Sequence, residues 1–260
     1  MWTRANLKAK AKAAFKRNYW KCVLIGLILG IVAGGGGSAA SSFSNSTTSQ
    51  STENILSNDY YYEDDITFSE EFNDDFSSAE STIFISMIIA IILIVLLGAL
   101  ALQIFIFAPL EVGCRNFFKL NAYEHAEVNA ITYAFNKNNY MSVVKTLFFR
   151  NLYTALWTCV FIIPGIIKSY EYRMIPYILA DCPGISKNDA FRISREMMNG
   201  NKMDAFVLDL SFFGWLLLTV ITCGAVGLFY VNPYIAATDA ELFLAIREEY
   251  FNNQRVVEGE

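Results

Sequence analysis

The sequence predicts an all-α, multi-pass transmembrane helical bundle, and three stretches of chain carry that prediction. Residues 81–110 contain no Asp, Glu, Lys, Arg or His, and a bilayer crossing needs about 20 predominantly apolar residues. Residues 41–80, just before them, hold ten acidic residues and no basic one. Residues 1–21 hold seven basic residues and no acidic one. A basic end, an apolar span, an acidic loop and a second apolar span fit a chain threaded through a membrane, its positive end on the cytoplasmic side.

Composition agrees. The 260 residues are 54% hydrophobic and 17% charged, against roughly 25% charged in ordinary soluble domains. The net charge of −5 sums a basic inner surface and an acidic outer loop and describes neither. No basic stripe exists outside the N-terminal arm, which argues against nucleic acid. Cys22, Cys114, Cys159, Cys182 and Cys223 are scattered and His125 is the only histidine, so no metal centre or cofactor is implied and all five thiols read as buried small hydrophobes.

In chain order, Leu7, Ala11, Ala14 and Phe15 fall on one helical face and Lys8, Lys12 and Lys16 on another. With Arg17, residues 1–20 read as a basic interfacial helix lying on anionic headgroups. Residues 21–260 then form a single transmembrane domain. Its first span covers residues 21–39. A basic n-region of 21 residues is long for a signal peptide, so this span is read as uncleaved. The Ser/Thr-rich and acidic segment 41–80 buries little and reads as a disordered extracellular loop. Residues 114–141 read as helix and loop on the inner side, with Arg115, Lys119 and Lys137.

Residues 148–167 and 205–231 are the remaining apolar blocks. If each crosses once, Lys187, Arg192, Arg195 and Lys202 lie outside, against the positive-inside rule. If each is a hairpin, broken at Pro164-Gly165 and at Cys223-Gly224, the basic segment and the C-terminus return to the cytoplasm. An internal similarity favours hairpins: residues 157–181 and 215–239 both start with Trp and end in related phrases, Pro176-Tyr-Ile-Leu-Ala-Asp181 and Pro233-Tyr-Ile-Ala-Ala-Thr-Asp239. Pro109-Leu-Glu111 reads as a third, more diverged copy. The expected architecture is six helices in three hairpins, Pro176 and Pro233 kinking the return legs near the inner interface. Between the last two hairpins, Ser186-Lys-Asn-Asp189 is a capping-box pattern. Ala190, Phe191, Ser194, Met197 and Met198 follow on one face, with Lys187, Arg192 and Arg195 elsewhere. Residues 186–200 thus read as a cytoplasmic amphipathic helix.

Several phrases resemble the DUF975 family of Gram-positive bacterial membrane proteins. They are the N-terminal Ala5-Asn-Leu-Lys-Ala-Lys-Ala-Lys-Ala-Ala-Phe-Lys-Arg-Asn-Tyr-Trp-Lys21, Ile163-Pro-Gly-Ile-Ile-Lys-Ser-Tyr170, Met197-Met-Asn-Gly-Asn-Lys202, Phe206-Val-Leu-Asp-Leu-Ser-Phe-Phe-Gly-Trp215 and Asn232-Pro-Tyr234. The resemblance covers nearly the whole chain apart from the acidic loop. It implies a multi-pass protein of the bacterial plasma membrane and no particular activity.

Ionisable groups inside membrane segments are costly and are therefore candidates for function. Lys168, Glu171 and Arg173 follow the Pro164-Gly165 break, where a local ion pair would discount the burial of Glu171. Asp209 sits one turn into the fifth helix and is expected either to accept hydrogen bonds within the bundle or to pair with Arg150, its counterpart in the preceding hairpin. No nucleophile is paired with a base, and a lone histidine excludes most Ser-His or Cys-His arrangements, so the chain reads as no enzyme. The leading expectation is an accessory or scaffold protein of the cell envelope, engaging anionic lipids at the inner face and a membrane-protein partner or a second copy of itself. The alternatives are a transporter or lipid-handling protein built on the broken hairpins, and protection against cationic peptides by the acidic loop.

Overall fold

The computed structural model describes residues 2–34, 78–136 and 139–258. Lys137 and the acidic loop, except its last three residues, lie outside them. Among the described residues every regular element is helical. We number them α1 (Arg4–Arg17), α2 (Tyr19–Gly34), α3 (Ser78–Leu102), α4 (Ala108–Tyr123), α5 (Tyr140–Val160), α6 (Ile162–Glu171), α7 (Ile175–Asp181), α8 (Lys187–Met198), α9 (Lys202–Leu210), α10 (Phe213–Ile221) and α11 (Asn232–Glu258). A 3₁₀ segment, Val128–Phe135, covers one side of α4. A methyl group added to Gly113 would lie 2.0 Å from the Ile131 carbonyl oxygen, so only glycine admits that approach.

Three prolines organise the bundle. Pro109, Pro176 and Pro233 each stand second in α4, α7 and α11; Pro176 opens its helix after a turn, where a missing N–H is tolerated, whereas Pro109 and Pro233 follow π turns inside continuous helical stretches. An aromatic residue stands four positions before each: Phe105, Tyr172 and Phe229. Proline cannot donate to the carbonyl four residues back, and at two junctions the backbone widens into a π turn, Gln103–Phe107 and Gly227–Val231. The freed carbonyls are then taken by tyrosines: the Tyr140 hydroxyl donates to Phe105 O and the Tyr19 hydroxyl to Phe229 O. At the middle junction the chain turns between α6 and α7, and Tyr172 O accepts from the Ile175 N–H at 3.3 Å. Two of the three Pro phrases thus share one local solution, and the middle one is met by a chain turn instead.

The two apolar blocks fold back on themselves. α5 and α6 pack together, with the break at Phe161, whose backbone is extended. This corrects the expected break at Pro164-Gly165: Pro164 fits the first turn of α6, and Gly165 is where α6 presses on α5, a Cβ there falling 2.5 Å from Thr158 Oγ1. The second block turns as expected at Gly224 (φ +87°), beside Cys223 (φ +50°). Gly227 then presses on Thr219 of α10, where a Cβ would lie 2.4 Å from Cγ2. Among the described residues two stretches are long and apolar enough to cross a membrane, Ile83–Tyr123 and Lys202–Ile221; α2 is shorter, and α5, at 21 residues, carries Lys145 and Arg150.

The core lies among α1, α2, α4, α7, α8 and α11, around Phe15, Phe117, Phe118, Tyr177, Met198 and Phe243. Burying each such side chain contributes about 1.5–3 kcal/mol. The buried face of α1 is Leu7, Ala11, Ala14 and Phe15, as its periodicity predicts, and it rests on α11 and α4 rather than on lipid. α8 likewise buries Ala190, Phe191, Ser194, Met197 and Met198, with Ser186 capping Asp189 N and Gly200 (φ +82°) ending the turn. Cys22 and Cys114 are buried, but Cys159, Cys182 and Cys223 are exposed, which corrects the reading of all five as core residues.

Candidate functional site

The proline junctions bring ionisable side chains from five parts of the chain into one ionic core. Asp239 of α11 accepts from Arg115 of α4 (Nη1–Oδ2 2.9 Å) and from Arg173 of the α6–α7 turn (Nη2–Oδ1 2.6 Å). Arg173 also forks onto Asp209 of α9 at 2.7 and 2.8 Å, the planar geometry that suits guanidinium to carboxylate. The Tyr170 hydroxyl donates to Asp209 at 2.7 Å, and Arg115 Nη1 donates to the Tyr177 hydroxyl at 3.2 Å. Tyr177 is buried and stacked on Phe243, ring centroids 4.9 Å apart. Two arginines and two aspartates give this cluster no net formal charge, so little is left to draw an ion in from outside. Arg115 Nε is buried without a hydrogen-bond partner.

Three smaller clusters surround it. Glu111 receives both terminal nitrogens of Arg150, at 3.1 and 2.7 Å. Glu171 holds Lys168 at 2.5 Å and Lys202 at 2.9 Å. Asp181 holds Lys119 and Arg247, each at 2.6 Å. The acids Glu111, Asp181 and Asp239 follow the junction prolines by two, five and six residues. The repeat that sets the bends thus also delivers a carboxylate near each one.

Several expectations change. Arg150 pairs with Glu111 and not with Asp209, whose partner is Arg173. Glu171 makes the expected local pair with Lys168, while Arg173 points to the two aspartates. Two of the supposed headgroup-binding cations are engaged within the protein: Lys8 donates to Ser211 O at 3.3 Å and sits over the Phe212 ring, and Arg17 caps the end of α4 through Asn121 O and Glu124 O. Lys12 and Lys16 remain exposed. Lys187 lies 4.0 Å from the Phe149 ring centroid, Arg195 Nε donates to Phe191 O, and Arg192 reaches Asp189 and Glu196 at 3.4 Å. The Ser186 hydroxyl and Arg192 together hold the exposed Asp189 carboxyl below its ordinary range.

Arg115 and Asp239, which tie the ionic core together, and Lys119, which holds Asp181, stand out in the sequence only as inner-side cations and a repeat end read as an inner-interface cap, not as a paired cluster. The available signal was the spacing of acids after the repeated prolines. Among the described residues no group of His, Cys, Asp and Glu is arranged to hold a metal ion. Chemically, the arrangement cross-links helices: each carboxylate in these clusters is engaged by at least one cation.

No curated protein and no solved structure matches the chain. Residues 1–250 match the family described as Protein of unknown function (DUF975), and with nearly its whole length matched the chain belongs to the DUF975 family.

Proposed function

We propose that this chain is a multi-pass protein of the bacterial plasma membrane, with six crossings in three hairpins and both termini cytoplasmic, serving as an accessory or scaffold protein of the cell envelope. The observation that carries the reading is α3: all twenty side chains from 83 to 102 are exposed, and nearly all are apolar. In water such a surface is unsustainable; in hydrocarbon it is the ordinary case. Apolar residues exposed at 148–167 and at 206–229 extend the same surface over the other two hairpins. Lys12 and Lys16 on α1 and Arg195 on α8 are among the exposed cations available to meet anionic headgroups or a partner.

Native cysteines test the topology. Cys159 lies beside the first hairpin break, Cys223 lies in the second, and Cys182 follows α7; all three are exposed. In single-cysteine variants, a membrane-impermeant thiol reagent added to intact cells should reach Cys159 and Cys223, and Cys182 only after permeabilisation. Labelling of Cys182 from outside would return the chain to four crossings. The scaffold role is tested by photo-crosslinkers at Arg192 and Arg195 in native membranes, where a stoichiometric protein adduct is expected and a protein that stays uncrosslinked would sink it.

The transport reading has less support. It requires an acid free to exchange protons or ions, whereas Glu171 is held by two lysines and Asp209 by an arginine and a tyrosine. Glu171→Gln should therefore lower stability rather than silence a flux selectively.

A further inference from the structure

The outward faces of the helices differ in length. On α3 the exposed apolar side chains run from 83 to 102, about 30 Å of helix. That matches the hydrocarbon core of an ordinary bilayer, about 30 Å thick. On α5 the last exposed charge before the break is Lys145, and residues 146–160 supply only about 22 Å. The return leg, α6, has ten residues, about 15 Å. In the second hairpin the last exposed charge before the turn is Asp204. Residues 205–221 reach at most about 25 Å, because the helix is interrupted between α9 and α10. Arg150 and Asp209 lie farther along these legs, but each is neutralised within the bundle.

Nothing polar at the tips makes up the difference. Phe161, Ile162 and Ile163 form the first tip, and Val220 and Ile221 lead into the second, all strongly exposed. No charged residue lies between Arg150 and Lys168, or between Asp209 and Asp239. A span shorter than the hydrocarbon is accommodated by thinning the bilayer or by long flanking side chains that reach its surface. The second route is open to Lys145 at the inner end of α5, and closed at both tips.

We propose that the two hairpins hold the bilayer locally thin, so that their side of the protein collects short-chain lipids while α3 faces a bilayer of ordinary thickness. Thinning presupposes the six crossings, since a leg of about 22 Å crosses only a membrane that has thinned to meet it.

Tryptophan quenching by brominated lipid tests it. The full-length protein is reconstituted in vesicles of equal parts dimyristoleoyl- and dierucoylphosphatidylcholine, with one species or the other brominated on its chains. Trp157, exposed on α5, is the hairpin reporter, in a variant carrying Trp2→Phe, Trp20→Phe and Trp215→Phe. Ile92→Trp, with Trp157→Phe added, is the reporter on α3. Each signal is normalised to quenching in vesicles of that brominated lipid alone. The short-chain species should quench Trp157 about twofold more than the long-chain one, and the two should be equal at Ile92→Trp. Equal quenching at Trp157, or the same short-chain enrichment at Ile92→Trp, would overturn the proposal. The crossings are scored separately, by impermeant thiol labelling of the exposed Cys159 and Cys223 on intact cells. Labelled tips without short-chain enrichment leave the six crossings standing and overturn the thinning. Unlabelled tips mean that the hairpins turn back inside the hydrocarbon, and thinning falls together with the six crossings.

Discussion

α3 and α4 belong to one helical stretch, Ile83–Tyr123, of 41 residues and about 60 Å in length, yet its halves obey opposite rules. All twenty side chains from 83 to 102 are exposed, and none of them is charged. In α4, eleven of sixteen residues are buried, Glu111 and Lys119 among them. The apolar half faces outward and the charged half inward, the reverse of a protein in water. The difference teaches that hydrophobicity alone does not choose the inside of this molecule: α3 exposes its apolar side chains, while α1 and α8 bury theirs. What gathers the helices is the pairing of charges near the proline junctions, together with the aromatic core around them.

The sharpest way to break this comparison is to unpair the ionic core. Asp239→Ala leaves Arg115 and Arg173 facing each other without their shared carboxylate, and removing one partner of a buried ion pair costs about 3–5 kcal/mol. For a chain of this size that is a fall in Tm of about 10 °C or more, measured by thermal unfolding in detergent. A shift under about 2 °C would mean that the aspartate is solvated and the core is held by packing alone.

Truncation separates the halves next. Phe117→Ala in α4 empties a fully buried site and should cost about 3–5 kcal/mol. Ile92→Ala in α3 truncates an apolar side chain that is 52% exposed, and should change stability by less than about 0.5 kcal/mol. Equal losses at the two positions would show that α3 has a protein partner in the sample.

How much of this was legible beforehand depends on the kind of information. The buried faces of α1 and α8 are readable residue by residue, because contrast between apolar and charged positions at a period of 3.6 survives whatever the helix packs on. What covers those faces is not readable: α1 carries the signature of a lipid-surface helix, and α11 covers it instead. Ion-pair partners were the least legible feature. Arg150 and Glu111 are 39 residues apart and Arg115 and Asp239 are 124 apart, and nothing in local spacing distinguishes those pairs from Arg150 with Asp209. The Pro-centred repeat was visible, but the π turns were not, since they follow from which hydroxyl is near the freed carbonyl.

The tyrosines at those turns give a smaller effect. Tyr140→Phe removes the donor to Phe105 O, and Tyr19→Phe the donor to Phe229 O. Each should cost about 1 kcal/mol. The two losses should add, because the junctions lie on different helices and share no partner. A double variant much worse than the sum would show that the junctions move as a unit.

The finest contrast lies within α11, between Asp239 and Glu241, two residues apart and both buried. The first is paired twice, and the second faces Lys10 and Arg17 from α1, Tyr123 from α4, and Arg247, Glu248 and Arg255 from its own helix without an ion pair. A carboxyl held above its ordinary range favours the protonated form in the folded state. Its ionisation therefore costs stability at pH values above the folded midpoint, and the cost disappears as pH falls below the unfolded one. Glu241→Gln should raise Tm at neutral pH by at most about 4 °C, the size of 1 kcal/mol in a chain of this length, and the gain should vanish in acid. Asp239→Asn should move Tm the other way. If both substitutions destabilise at pH 7, Glu241 is paired in solution, and the division of α11 into a satisfied and an unsatisfied acid fails with it.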